Sequence, residues 1–123
     1  MRTLPALAAV AMLAVAGPAF AHPKLLKSTP AANATVAPTS SIELQFSETL
    51  VDKLATAELA MTDMPGMKMA PMKMPLKLSV SADHKTVKIA LAKPLPAGTY
   101  KLDYHVTSTD THRVNGGYSF SVK

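Results

Sequence analysis

The chain has 123 residues, thirteen basic and eight acidic side chains, and neither cysteine nor tryptophan. That length reads as one domain, and the lack of cysteine excludes disulfides, zinc–thiolate sites, iron–sulfur clusters and thiol catalysis. Three tyrosines and three phenylalanines are too few for a base-stacking platform, and the lysines are scattered, so no nucleic-acid partner is expected.

Residues 1–21 read as a secretory signal peptide. Met1-Arg2-Thr3 carries one positive charge, residues 4–15 are apolar with a break at Pro5, and Ala19-Phe20-Ala21 has the small-x-small pattern of a cleavage site. The apolar run is short of the ~20 residues that a membrane helix needs. Cleavage after Ala21 removes Arg2 and leaves 123 less 21, or 102 residues, which begin at His22. No second apolar span follows, so an exported, soluble domain is expected at residues 22–123. With no disulfide available, its core alone must hold it together.

From Leu25 onward the apolar residues recur with period two. After a short first strand near Leu25 to Ser28, Ile42, Leu44 and Phe46 alternate with Glu43 and Gln45. Ala57, Leu59 and Met61 continue the pattern, as do Leu76, Leu78 and Val80, and then Val87, Ile89 and Leu91. The longest run is Tyr100, Leu102, Tyr104 and Val106, and Tyr118, Phe120 and Val122 close the chain. Each segment predicts a strand with one buried face. Pro30 to Asn33, Pro38 to Ser41, Ala82 to Lys85, Pro94 to Gly98 and Asn115-Gly116-Gly117 read as the breaks between them. One helical turn is expected within Ser47 to Ala55, where Leu50, Val51 and Leu54 have helical spacing. Seven short strands in about 100 residues predict an antiparallel β-sandwich with Greek-key connections.

Of eight methionines, six fall between Met61 and Met74: Met61, Met64, Met67, Met69, Met72 and Met74. Pro65, Pro71 and Pro75 argue against a buried helix or central strand there, so a loop is expected. Thioethers are polarisable, uncharged and free of any competing proton, which suits Cu(I) or Ag(I) and not harder ions. The plainer use of methionine is to fill gaps in a core.

Nitrogen and oxygen donors lie elsewhere. A free His22 would offer its α-amine and Nδ1 as one chelate, and Pro23 has no amide hydrogen for copper to displace next. Asp110-Thr111-His112 and Asp103-Tyr104-His105 each place a carboxylate two residues from an imidazole, which in extended chain share a face. The second pair lies mid-strand on the face opposite Leu102 and Tyr104, where solvation is the default. His84 falls in a predicted turn and is expected to be solvated. Glu48 follows a strand end and is either a further ligand or an exposed acid.

Taken together these segments resemble the CopC family of periplasmic copper-binding proteins. The likeness rests on His22-Pro23-Lys24-Leu25 with Ser28-Thr29-Pro30, and on Phe46-Ser47-Glu48-Thr49-Leu50. It rests also on Met61 to Met67, Pro96-Ala97-Gly98-Thr99-Tyr100, and Ser108-Thr109-Asp110-Thr111-His112 with Gly116 downstream. It implies a seven-stranded Greek-key sandwich or barrel, immunoglobulin-like or cupredoxin-like, with two separated copper sites. It implies Cu(II) on the amine and imidazole of His22, the imidazole of His112 and the carboxylate of Asp110, with Glu48 at a position that approaches this site in some members. It further implies Cu(I) on Met61, Met64, Met67 and Met72. Met69 stands where members of the family can have histidine, which leaves this site entirely thioether, and Met74 is an extra sulfur. A monomer that sequesters or delivers copper, in the periplasm and with an inner-membrane copper importer as partner, is the function implied. The rival class is a copper oxygenase with a histidine brace. That activity needs a substrate surface, usually flat and aromatic, whereas Phe46, Tyr100, Tyr104, Tyr118 and Phe120 are all expected on buried strand faces.

Overall fold

The alternating segments form strands because each has one apolar face to bury against a second sheet. The computed structural model describes residues 22–123; the expected signal peptide lies outside the described residues. The strands are β1 (Leu25–Thr29), β2 (Thr35–Val36), β3 (Ser41–Phe46), β4 (Thr56–Met64), β5 (Met67–Met74), β6 (Leu76–Val80), β7 (Thr86–Leu91), β8 (Gly98–Thr107) and β9 (Arg113–Val122). They form a four-stranded sheet in the order β1-β3-β7-β6 and a five-stranded sheet in the order β2-β9-β8-β4-β5. Every pairing is antiparallel except that of β2 with β9.

The core lies between the sheets and comes from the alternate positions read in the sequence. Ile42, Leu44 and Phe46 of β3 and Val87, Ile89 and Leu91 of β7 face Leu59, Met61, Tyr100, Leu102, Tyr104, Val106, Phe120 and Val122 of the other sheet. Each such side chain contributes about 1.5–3 kcal/mol by leaving water. Phe46 meets Tyr104 edge to face at 5.4 Å, and Tyr100 stacks on Phe120 at 5.6 Å. The buried Tyr100 hydroxyl donates to the Pro96 carbonyl at 2.6 Å, so its polar end is satisfied.

All seven expected strands are present, and two more join them. The short β2 pairs with β9, and the methionine segment supplies β5. The expectation of a loop there is corrected: Met61 to Met74 is an antiparallel hairpin in which Met61 pairs with Met72 and Met64 with Met67. The prolines are tolerated because β5 is an edge strand, where a missing N–H breaks no ladder on the outer side. A register shift between Met61 and Asp63 takes up the irregularity, and Gly66, at φ 75°, makes the turn with Pro65.

Two smaller expectations also change. The helical turn shrinks to a single 3-10 turn at Asp52–Leu54. Asn115-Gly116-Gly117 is not a break but lies inside β9. A Cβ on Gly116 would stand 2.4 Å from the Tyr104 hydroxyl oxygen, so the glycine is there for close packing and not for a turn.

Candidate metal centres

At one end of the sandwich three segments are tied together by hydrogen bonds. The segment 47–50 after β3 sits in the middle. On one side, Lys24 N–H donates to Ser47 Oγ and Ser47 N–H donates to the Lys24 carbonyl, both at 2.9 Å. On the other, Thr109 N–H donates to the Thr49 carbonyl at 2.9 Å, and Leu50 bridges to Ser108. The segment from His22 to Lys24 is thereby held beside the turn that carries Asp110 and His112. Half-buried Glu48 lies between the two ties.

The rings of His22 and His112 meet edge to face, with centroids 4.7 Å apart and an interplanar angle of 74°. His112 Nδ1 lies 3.1 Å from Asp110 Oδ2. The sequence places this pair past the end of a strand, in a polar connecting stretch, and the structure brings the two side chains together there through a tight turn. Thr111 N–H donates to the Ser108 carbonyl, Ser108 N–H donates to the His112 carbonyl, both at 2.9 Å, and Thr111 has φ 77°. That conformation is costly for a β-branched residue and is sustained by the hydrogen bonds on either side. Ser108 is buried, and its hydroxyl donates to Asp110 Oδ1. The Ser108 hydroxyl first, and His112 second, hold the Asp110 carboxyl below its ordinary range. Asp110 therefore stays ionised, as a metal-binding carboxylate must.

Among the described residues, no three His, Asp or Glu side chains form a cluster that could hold a metal by side chains alone. The donor set inferred from sequence has three such side chains, those of His22, Asp110 and His112, and they are not gathered into a ready-made cluster; its fourth donor is the amine that cleavage would free. Ser47 and Ser108, which had no role assigned in the sequence reading, hydrogen-bond the Lys24 main chain and the Asp110 carboxylate and so position the candidate donors. The only sequence sign of the second was a hydroxyl two residues before an aspartate, a spacing at which a side chain reaches the next but one.

The other two histidines have local partners. His84 is not simply solvated, because its Nδ1 lies 2.9 Å from Asp52 Oδ1. His105 lies on the outer face of β8, with Nδ1 2.7 Å from Asn115 Oδ1.

The hairpin separates methionines that the sequence made look alike. Met61 faces the core and is 3 % exposed, whereas Met64, Met67 and Met72 are 43 %, 63 % and 51 % exposed. Met69 and Met74 are half-buried against the core. Met64 and Met67 are directly opposed at the hairpin tip, and both are exposed. The tip lies at the far end of β4 from the histidines. The nine residues of β4 span roughly 25–30 Å. The two groups of candidate donors are thus too far apart to share one ion.

The CopC domain matches residues 25–123. The chain belongs to the CopC family. Copper resistance protein C of Xanthomonas campestris pv. juglandis is 53% identical over 105 residues, which are 85% of this chain and 83% of that protein. The crystal structure of PcoC from Escherichia coli, a methionine-rich copper resistance protein, is 44% identical with a TM-score of 0.77. That match covers 84% of this chain and all of that one. CopC from Methylosinus trichosporium OB3b has the same fold at 23% identity, with a TM-score of 0.63 over 83% of this chain and 94% of that one. The CopC match begins three residues after His22, so this candidate ligand lies just outside it.

Proposed function

We propose that this CopC-family chain is an exported copper-binding protein that holds Cu(II) at its amino terminus and Cu(I) in the methionine hairpin. The reading is carried by the 4.7 Å approach of the His22 and His112 rings, with Asp110 bonded to one of them. Nothing in the packing of the core requires two imidazoles to meet at an exposed edge. Nitrogen and carboxylate donors suit Cu(II), and thioethers suit Cu(I). The similarity to copper resistance proteins supports copper as the ion.

In this reading the signal peptide ends at Ala21, and the protein works in the periplasm as a monomer. The α-amine and Nδ1 of His22, an imidazole nitrogen of His112 and the Asp110 carboxylate bind Cu(II), with Glu48 close by. On binding, Asp110 exchanges its contact with His112 Nδ1 for the metal. Met64, Met67 and Met72 supply the outer sulfurs for Cu(I). Half-buried Met69 is within the same hairpin, and Met61 joins only if its side chain leaves the core. The protein sequesters copper or passes it to an inner-membrane importer.

Catalysis is not part of the proposal. A histidine-brace oxygenase acting on a polymer needs an exposed binding surface, and among the described residues no aromatic ring supplies one. Phe46, Tyr100, Tyr104 and Phe120 are buried and Tyr118 is half-buried. The test is one titration with Cu(II), followed by one with Cu(I) under a reductant. One equivalent of each, bound independently, is expected. Competition of the two ions for a single site would defeat the two-site reading.

A further inference from the structure

We propose that the exposed methionines of the hairpin are a modification site. Two-electron oxidants of the peroxide class convert Met64, Met67 and Met72 to sulfoxides, and this disables the soft-metal site while the fold survives. The order of oxidation rests on exposure alone; the loss of metal binding rests on the soft-site reading above.

The structure divides the six thioethers by access. Met61 points between the sheets beside Leu59, and its terminal methyl would lie 3.3 Å from a Cβ built on Gly98. Peroxide has no path to that sulfur without opening the sandwich, and an oxygen added there would be a buried polar atom with a substantial desolvation cost. Met67 and Met72 are more than half exposed and Met64 nearly so, on an edge strand and a hairpin tip. A sulfoxide at any of these can be hydrated where it stands. Met69 and Met74 are intermediate.

The chemistry is balanced by the oxidant alone. A sulfur lone pair attacks one peroxide oxygen, the S–O bond forms and the O–O bond breaks. Sulfur loses two electrons, and the departing hydroxide takes the remaining proton and leaves as water. The product is polar and chiral, and its exposed donor is now oxygen. Oxygen is a hard donor, unsuited to Cu(I) or Ag(I). Conversely, a soft ion already on the sulfur occupies the lone pair that the oxidant needs.

The test uses the purified protein, hydrogen peroxide and Ag(I), which undergoes no redox cycle with peroxide under these conditions. Peptide mass mapping over a time course should show Met64, Met67 and Met72 gaining oxygen at least about ten-fold faster than Met61. The β-sheet circular dichroism should not change while this occurs. Prior addition of Ag(I) should slow oxidation at the three sites several-fold, and fully oxidised protein should lose most of its Ag(I) binding. Met61 oxidised as fast as Met67, or unfolding that keeps pace with oxidation of the tip, would overturn the proposal. So would undiminished Ag(I) binding after all three are oxidised, which would place the ion on other donors; the oxidation order fails independently of the soft-site reading. Untreated protein that fails to bind Ag(I) would instead defeat the soft-site reading, and with it the gating.

Discussion

Lys24 and Ser47 exchange two hydrogen bonds, N–H to Oγ and N–H to carbonyl, each 2.9 Å long. This clamp lies two residues from His22 and fixes where His22 stands relative to His112. Replacing Ser47 with Ala removes one of the two bonds and no proposed ligand. Such a bond is worth about 0.5–1.5 kcal/mol, so Cu(II) affinity should fall by a factor of roughly 2 to 10. Competitive titration against a chelator of known strength measures it. An unchanged affinity would mean that the clamp does not preorganise the site.

The α-amine is a ligand only if His22 is the first residue. One extra residue before His22 leaves every side chain present and moves the amine away from the imidazole chelate. Cu(II) binding should then fall as far as it does in His112→Ala, with a changed electron spin resonance spectrum. His84→Ala and His105→Ala should bind as the native protein does, because Asp52 and Asn115 already engage those rings. Intact mass spectrometry of the exported protein gives the start of the chain directly. A start other than His22 would remove the chelate.

Substitutions in the hairpin should separate packing from binding. Met61→Ala opens a cavity in the core and should destabilise the fold by about 2–5 kcal/mol. Met64→Leu with Met67→Leu keeps the apolar bulk at exposed positions and should change the melting temperature little. The double variant should bind Cu(I) and Ag(I) much more weakly while Cu(II) binding persists. Equal Cu(I) affinity would mean that the tip methionines serve only as apolar surface.

Gly116 is tested through its close approach to Tyr104. A methyl group there would meet the ring and hydroxyl of Tyr104 at 2.4–2.8 Å. Gly116→Ala should therefore cost about 1–3 kcal/mol, read as a lowered midpoint in urea. A midpoint equal to that of the native protein would show that β9 yields easily at this place.

The turn between β6 and β7 should weaken in acid. The Ser81 hydroxyl first, then the Lys85 N–H, hold the Asp83 carboxyl below its ordinary value. A carboxylate with a depressed folded pKa stabilises the fold above its unfolded value of about 3.9, and that contribution is lost as pH falls through the lower, folded pKa. Carbon-13 titration of the carboxyl should place Asp83 below the ordinary aspartate value of about 3.9, and Ser81→Ala should bring it back toward that value. A normal titration in the native protein would remove Ser81 as the cause.

The sequence by itself determined the sandwich, because period-two burial is local: a residue such as Leu44 or Leu102 declares its face through its neighbours. It also named the candidate donors, since copper chemistry depends on residue type, and His22, Asp110, His112 and the methionines are visible as such. Tertiary structure decided what those residues meet. His22 and His112 lie 90 positions apart, and ties such as those from Lys24 to Ser47 and from Thr49 to Thr109 bring their rings to 4.7 Å. The methionine segment looked like a loop because prolines forbid central strands; that it pairs as an edge strand depends on β4, which composition does not reveal. Gly116 looked like a turn because the ring of Tyr104 that requires it comes from another strand. Likewise, six chemically identical thioethers became one core residue, two half-buried ones and three exposed ones. Burial is a property of the neighbours that folding supplies, and no side chain carries it in its own chemistry.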